Sequence, residues 1–205
     1  MIQLDQVTVV RNGHVQLPSV SATFSTGKMY AVIGPSGIGK STLLRIIAGI
    51  EKPTSGEVRY SDAPYVNMVF QTVNLWPHLR IQRQLDIVHQ RLPTSVREDL
   101  AKQLGLAGLL KRFPNELSQG QRQRAALLRC LITDPDVLLA DEVTSAQDVE
   151  YSKIIMGCFR EFLLTAGKSV IAISHDHALM EDWSDEIIAL GQTGTSSKQI
   201  IKSHE

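Results

Sequence analysis

The stretch GPSGIGKS, residues 34 to 41, fits the pattern G-x-x-x-x-G-K-[ST]. Average composition produces that pattern by chance in roughly one chain of this length in a hundred. Here it also follows a β-rich run, Met29 to Ile33, and leads into the helical stretch STLLRIIAGI. Glycines in such a loop let backbone N–H groups approach phosphate oxygens with no Cβ in the way. A helix starting near Gly39 adds the positive end of its dipole. Lys40 is expected to reach the β- and γ-phosphates, and the Ser41 hydroxyl to ligate Mg²⁺. A strand, a phosphate loop and a helix in this order predict an α/β fold with a nucleoside triphosphate at the carboxyl end of a strand.

Outward from the loop, further β-rich runs occur at Val66 to Phe70, Val137 to Ala140, Val170 to Ser174 and Glu186 to Leu190. Their alternation with helical patterns predicts a mostly parallel sheet. Residues 72–134 read as helical: Ser95-Val-Arg-Glu98 fits a capping box, with Val96, Leu100 and Leu104 following at intervals of four. A second cap at Ser118-Gln-Gly-Gln121 precedes a helix that should stop near Asp134-Pro135. The expected organisation is one domain over 1–205. Its α/β core is formed by 1–71 and 135–205, and a helical subdomain is inserted at 72–134. The polar end GQTGTSSKQIIKSHE is expected to be loosely attached, with at most a small edge strand.

Four of the five predicted strands run into a glycine-rich turn or a polar residue. Gly34 follows the first and Gln71 the second; Asp141 and Glu142 follow the third and His175 the fourth. Ligands of open parallel sheets bind outside the carboxyl ends of the strands. Two adjacent carboxylates after the apolar run of LLADEVTSAQD (residues 138–148) resist dehydration unless a cation compensates them. With Mg²⁺ at this rim, Asp141 is placed to hold the metal. Glu142, pointing the other way, can polarise an attacking water.

Bulk composition sets limits on the rest. The chain has 205 residues, which suffice for one well-buried core. Lys plus Arg balance Asp plus Glu at 21 each, so nothing suggests a nucleic-acid-coating surface. Cys130 and Cys158 stand far apart in apolar helical patterns and are expected to be reduced packing residues. The start MIQLDQVTVV lacks the basic end and apolar block of a signal peptide. No apolar run approaches the roughly 18 residues of a membrane helix. The chain is therefore expected to be soluble, with any membrane role needing a partner. His14, His78, His89 and His204 share no metal-ligand spacing, and His177 is expected to be structural or solvated.

In the order of its motifs the chain resembles the ATP-binding cassette (ABC) ATPases over nearly its whole length. The phosphate loop is followed by VFQ at Gln71, LSQGQ at Leu117 to Gln121, VLLADE, the D-loop-like SAQD, and SHD at Ser174 to Asp176. The resemblance implies a P-loop NTPase core with a mostly parallel sheet, a small antiparallel β subdomain and an inserted helical subdomain. It implies ATP and Mg²⁺ as cofactors. Nucleotide contacts fall to Gly34, Pro35, Ser36, Gly37, Ile38, Gly39, Lys40, Ser41 and Thr42, with Ser41, Gln71 and Asp141 at the metal. Glu142, His175, Gln71 and Lys40 take the catalytic roles, with His175 at the γ-phosphate and orienting Glu142. Ser118 caps a helix whose N-terminal N–H groups offer a second anion-binding end. The resemblance makes Ser118, Gly120 and Gln121 the contacts to ATP held by a second copy in a head-to-tail dimer.

Departures from the family pattern are Gln119 for a glycine, Val143 for the usual proline, and Gln147 for the D-loop leucine. Arg11 stands where an adenine-stacking aromatic is usual, and a guanidinium can take that role. The stretch Glu57 to Tyr65 is short, which predicts a trimmed antiparallel subdomain. By resemblance, the chain is a transporter's detached nucleotide-binding subunit, peripheral on the cytoplasmic side of the inner membrane. Its transmembrane permease subunits would meet QTVNLWPHLRI through Trp76, Pro77 and Leu79, in the importer manner. The short end predicts no added regulatory domain. An exporter or lipoprotein-release ATPase, a non-transport cassette and a regulatory ATP switch are the alternatives.

Overall fold

The computed structural model describes residues 1–88, 92–144, 149–163, 165, 167–191 and 194–199. Alternating apolar and polar residues open it as an antiparallel hairpin, β1 (Ile2–Arg11) and β2 (His14–Phe24). The turn between them is Asn12-Gly13, both at positive φ (50° and 76°), the geometry that suits a two-residue hairpin. There follow β3 (Met29–Ile33), α1 (Lys40–Ile47), β4 (Ser55–Tyr60) and β5 (Val66–Val69). Next come α2 (Ile81–Ile87), α3 (Thr94–Gln103), a 3-10 turn at Pro114–Glu116, and α4 (Gln119–Leu131). The rest is β6 (Val137–Asp141), α5 (Val149–Leu163), β7 (Ser169–Ile173), α6 (His177–Trp183), β8 (Glu186–Gly191) and β9 (Gly194–Gln199).

Two sheets result. A three-stranded antiparallel sheet has the order β2-β1-β4, and a six-stranded sheet has the order β5-β6-β7-β3-β8-β9. In the larger sheet the first five strands are parallel, and β9 closes the edge antiparallel to β8. Strand alternation divides the core in two. On one face Met29, Ala31, Leu138, Ala140, Val170 and Ala172 pack with Leu127, Leu128, Ile155, Phe159 and Met180 from α4, α5 and α6. On the other face Tyr30, Val32, Leu139, Ile171 and Ile173 pack with Leu43, Leu44, Ile46 and Ile47 of α1. The antiparallel sheet closes this second layer with Val7, Val9, Leu17 and Val20. With helices on both faces, the carboxyl ends of β3, β5, β6 and β7 form the open rim.

The five expected parallel strands appear within a residue of their expected bounds. The Ser95 cap does not. Helix α3 starts at Thr94 after an N-cap at Pro93, with no side chain capping it, and Ser95 lies inside the helix. The extended ψ of Pro93 (151°) already turns the chain into the helix, and the Thr94 hydroxyl accepts from Arg97 Nη2 at 2.7 Å instead. Val96 is exposed, whereas Leu104 is fully buried. Of the expected tail, β9 is an edge strand; residues beyond 199 lie outside the described residues, as do the SAQD segment with Gln147 and residues His89 and His204. The His177 side chain is likewise not described. Cys130 and Cys158 are buried in α4 and α5, and burial pushes their thiols up to about 12 and about 11.

Candidate functional site

The rim at the carboxyl ends of the parallel strands holds a cleft of about 540 Å³. It is lined by Arg11, Gln16, Ser36, Gly37, Gly39, Lys40, Ser41, Thr42, Arg45, Gln71, Glu142 and His175. The loop between β3 and α1 forms its floor. Gly39, the N-cap of α1, has φ 100°, and a Cβ there would lie 2.4 Å from the Gln16 carbonyl oxygen. Only glycine fits, because the left-handed backbone and the close approach of β2 both exclude a side chain. No side chain caps α1. The amide end of this helix therefore opens on the cleft with no capping side chain bonded to it. Lys40 is buried, and its ammonium donates to Gly34 O at 2.8 Å and Pro35 O at 3.0 Å, curling over its own loop. Pro35 and Gly34 thus shape the loop from below, and Ile38 packs into the core beneath.

Across the cleft, β6 delivers the carboxylates. The Ser41 hydroxyl donates to Asp141 Oδ1 at 3.0 Å. Burial pushes the Asp141 carboxyl above its usual range; the Ser41 hydrogen bond pulls it back, and the neighbouring Glu142 raises it further. Glu142 leaves the strand at φ 53°, with its N–H on Ile173 O at 3.0 Å. That left-handed conformation costs a non-glycine residue about 1–2 kcal/mol. A residue before a proline is restricted to extended conformations, so Val143 in place of the usual proline leaves Glu142 free of that constraint. Gln123, fully within α4, donates to Glu142 O at 3.5 Å.

The Glu142 carboxylate is held from two sides. Gln71 Nε2 donates to Oε2 at 2.7 Å, and His175 Nε2 lies 2.7 Å from Oε1. Each partner sits just past its own strand, β5 or β7. The turn that presents His175 is itself fixed: Ser174, buried, accepts from Asp176 N at 3.1 Å and contacts the Thr144 hydroxyl at 3.2 Å. Asp176 then caps α6 through Leu179 N at 2.9 Å. The resulting constellation is a glycine-rich loop and an uncapped helix end beside the Ser41 hydroxyl and the carboxylates of Asp141 and Glu142, the last held by Gln71 and His175.

The sequence-derived set divides by location. Arg11, Ser36, Gly37, Gly39, Lys40, Ser41, Thr42, Gln71, Glu142 and His175 share the cleft, and Asp141 joins them through Ser41. Ser118, Gly120 and Gln121 do not line it. They stand at the start of α4, where Ser118 Oγ accepts from Gln121 N at 3.2 Å and Gln121 Oε1 accepts from Ser118 N at 2.9 Å. This is the reciprocal box expected from the sequence. Two lining residues were not anticipated. Arg45 could have been, since it lies four residues after Ser41 on the same helical face; its Nε donates to Ser41 O at 3.2 Å. Gln16 carries no local signal.

A family model described as ABC transporter matches residues 17–145. The chain is 31% identical over 216 residues to the arginine transport ATP-binding protein ArtM of Bacillus subtilis (strain 168), covering 94% of this chain and 88% of ArtM. It is 32% identical over 212 residues to the spermidine/putrescine import ATP-binding protein PotA of Mycoplasma capricolum subsp. capricolum. That match covers 94% of this chain but 59% of PotA, so the chain spans about three fifths of that relative. Among solved structures, it is similar to an ATP-binding cassette captured as a dimer in a post-hydrolysis state with ADP and Pi. The TM-score is 0.83 at 28% identity, covering 98% of this chain and 100% of the other.

Proposed function

Because this chain belongs to the ABC transporter family, among its ATP-binding subunits, we propose that it hydrolyses Mg²⁺-ATP as a head-to-tail dimer and drives import through separate membrane subunits. The observation that carries this reading is the Glu142 carboxylate, held between Gln71 and His175 and facing the uncapped end of α1. An anion cradle alone needs no such carboxylate; a hydrolytic site does.

The donor set suits magnesium. A hydroxyl, a carboxylate and a side-chain amide supply hard oxygens, and Ser41 Oγ and Asp141 Oδ1 already lie 3.0 Å apart. Ser41, Asp141 and Gln71 would hold the ion. When bound, it supplies charge neutralisation and polarisation at the phosphate oxygens. Lys40 exchanges the carbonyls of Gly34 and Pro35 for phosphate oxygens, and the N–H groups of the loop and of α1 carry the rest of that charge. Glu142 orients and polarises the attacking water, and His175 fixes the orientation of Glu142. Ser118, Gly120 and Gln121 contact the ATP of the second copy; their distance from the cleft of their own chain supports that arrangement.

Import is supported by the relatives, named for arginine transport and spermidine/putrescine import. Among the described residues no helix is long and apolar enough to cross a membrane, so permease subunits would supply the path. A second cleft of about 340 Å³, lined by Tyr65, Met68, Phe70, Asn74, Trp76 and Arg129 among others, suits a helix from such a subunit. Its rim is firm. Buried Gln84 holds Trp76 N, Trp76 O and Leu79 O at 2.9–3.0 Å, and Arg129 stacks on the Trp76 ring at 4.8 Å. Peripheral attachment at the cytoplasmic face follows from this docking. Steady-state phosphate release from the purified chain tests the hydrolytic reading: Mg²⁺-dependent turnover that Glu142→Gln removes supports it. ATP binding without turnover would make the chain a regulatory switch.

A further inference from the structure

The cleft extends past the phosphate loop to Arg11 and Gln16, away from the Asp141–Glu142 rim. A triphosphate lying over residues 36–41 with its terminal phosphate at that rim directs its base toward Arg11. The Arg11 side chain is 52% exposed, yet its Nη2 is 2.5 Å from Oε1 of Glu51, which is only 14% exposed. Glu51 itself is fixed in the turn after α1, its N–H on Arg45 O at 3.2 Å. Three residues on, Thr54 straps the end of β1: its N–H donates to Thr8 O at 2.8 Å and its hydroxyl accepts from Val10 N at 3.0 Å. The segment 49–54 therefore ties the carboxyl end of α1 to the strand end that carries Arg11.

An ion pair with one partner half in water adds little to stability. What it does supply is direction. A free arginine explores many rotamers, whereas one held at Nη2 keeps its guanidinium in one place and samples fewer orientations. We propose that Glu51 is a positioning residue for the nucleotide: it clamps Arg11 so that the flat face of the guanidinium becomes the surface on which the base stacks. This deepens the nucleotide reading of the same cleft and rests on it. The carboxylate stands in for the rigidity that an aromatic ring would have by itself.

Steady-state ATPase assays on the full chain test the clamp. Stacking on an exposed cation corresponds to about a two- to fivefold change in affinity. Glu51→Gln is expected to raise the ATP KM by that factor, with kcat within about twofold. Inhibition by magnesium tripolyphosphate, which has no base, is expected to be the same as for the unsubstituted chain. In an Arg11→Tyr background, where the ring needs no clamp, adding Glu51→Gln is expected to leave KM as it was. An unchanged KM in the single variant overturns the proposal. So does a KM rise that persists beside Tyr, since Glu51 would then act only through the fold. Equal weakening of tripolyphosphate overturns it too, because the pair would then be reading phosphate. Absence of any ATP binding by the unsubstituted chain is a different failure, visible before a variant is made, and removes the nucleotide site itself.

Discussion

Helices α1 and α4 both begin with a polar residue at the end of a loop, but their first turns are finished differently. Helix α4 carries its own cap: Ser118 and Gln121 satisfy each other's backbone N–H groups. Helix α1 is left open, with glycine at its N-cap, no capping side chain, and a buried lysine folded over loop carbonyls at 2.8 and 3.0 Å. Only the second arrangement has no side chain bonded at its amide end. A helix end that closes itself is a stable part; one that leaves its donors and a buried cation facing a cleft is a binding site. On the proposed reading, the start of α4 meets a nucleotide only when a second copy brings one, whereas α1 binds one within its own chain.

The largest effect that would sharpen this contrast lies beside α1. Glu142→Gln is expected to slow hydrolysis by at least ~10²-fold, the scale of losing a positioned base. ATP should remain bound and hold a dimer visible by size-exclusion chromatography; retained turnover would move the base elsewhere. Next, Lys40→Ala should weaken ATP binding about 10- to 100-fold, as expected for losing a hydrogen bond to a charged group. A loss at Ser118 should be of another kind. Ser118→Ala removes a cap and should lower stability by about 1 kcal/mol, read as a drop in Tm. In the Glu142→Gln background it should also weaken the ATP-held dimer.

Asp141 gives a prediction with a defined sign. Burial raises its folded-state pKa above the unfolded value, so ionising it opposes folding, and the penalty grows as pH rises through the unfolded pKa toward the folded one. Without metal, Asp141→Asn is therefore expected to raise Tm at neutral pH. With metal, protons compete for the carboxylate, so Mg²⁺-dependent ATP affinity of the unsubstituted chain should fall as pH is lowered, sooner than an exposed aspartate would allow. A destabilised Asn variant would contradict the stated origin of the shift. The smallest effect is at the far end of the cleft. Arg11→Ala should raise the ATP KM about two- to fivefold with kcat nearly intact, and a kcat loss at constant KM would remove Arg11 from the base.

What could be read from the sequence follows the range of each signal. The phosphate loop, the Ser118 box and the strands Met29–Ile33, Val66–Val69 and Glu186–Gly191 are local patterns, and the structure has them within a residue. The helix starts at Thr94, not after a Ser95 cap, because Pro93 pre-empts the box that Ser95 and Glu98 match. The three-stranded sheet was hard to resolve for another reason: β1 carries register shifts at Leu4/Val7, Val7/Val9 and Val9/Val10, which break simple alternation. Contacts that span the chain left no mark at all. Glu51 on Arg11, Gln16 against Gly39, and Gln123 beneath Glu142 depend on how the layers stack, and no spacing rule encodes them.

The most direct test of the open α1 end is isothermal calorimetry of the purified chain with millimolar ATP and Mg²⁺, repeated with Lys40→Ala. A heat of association that falls sharply in the variant is the predicted result. No heat with the unsubstituted chain, or the same heat with both, would contradict it.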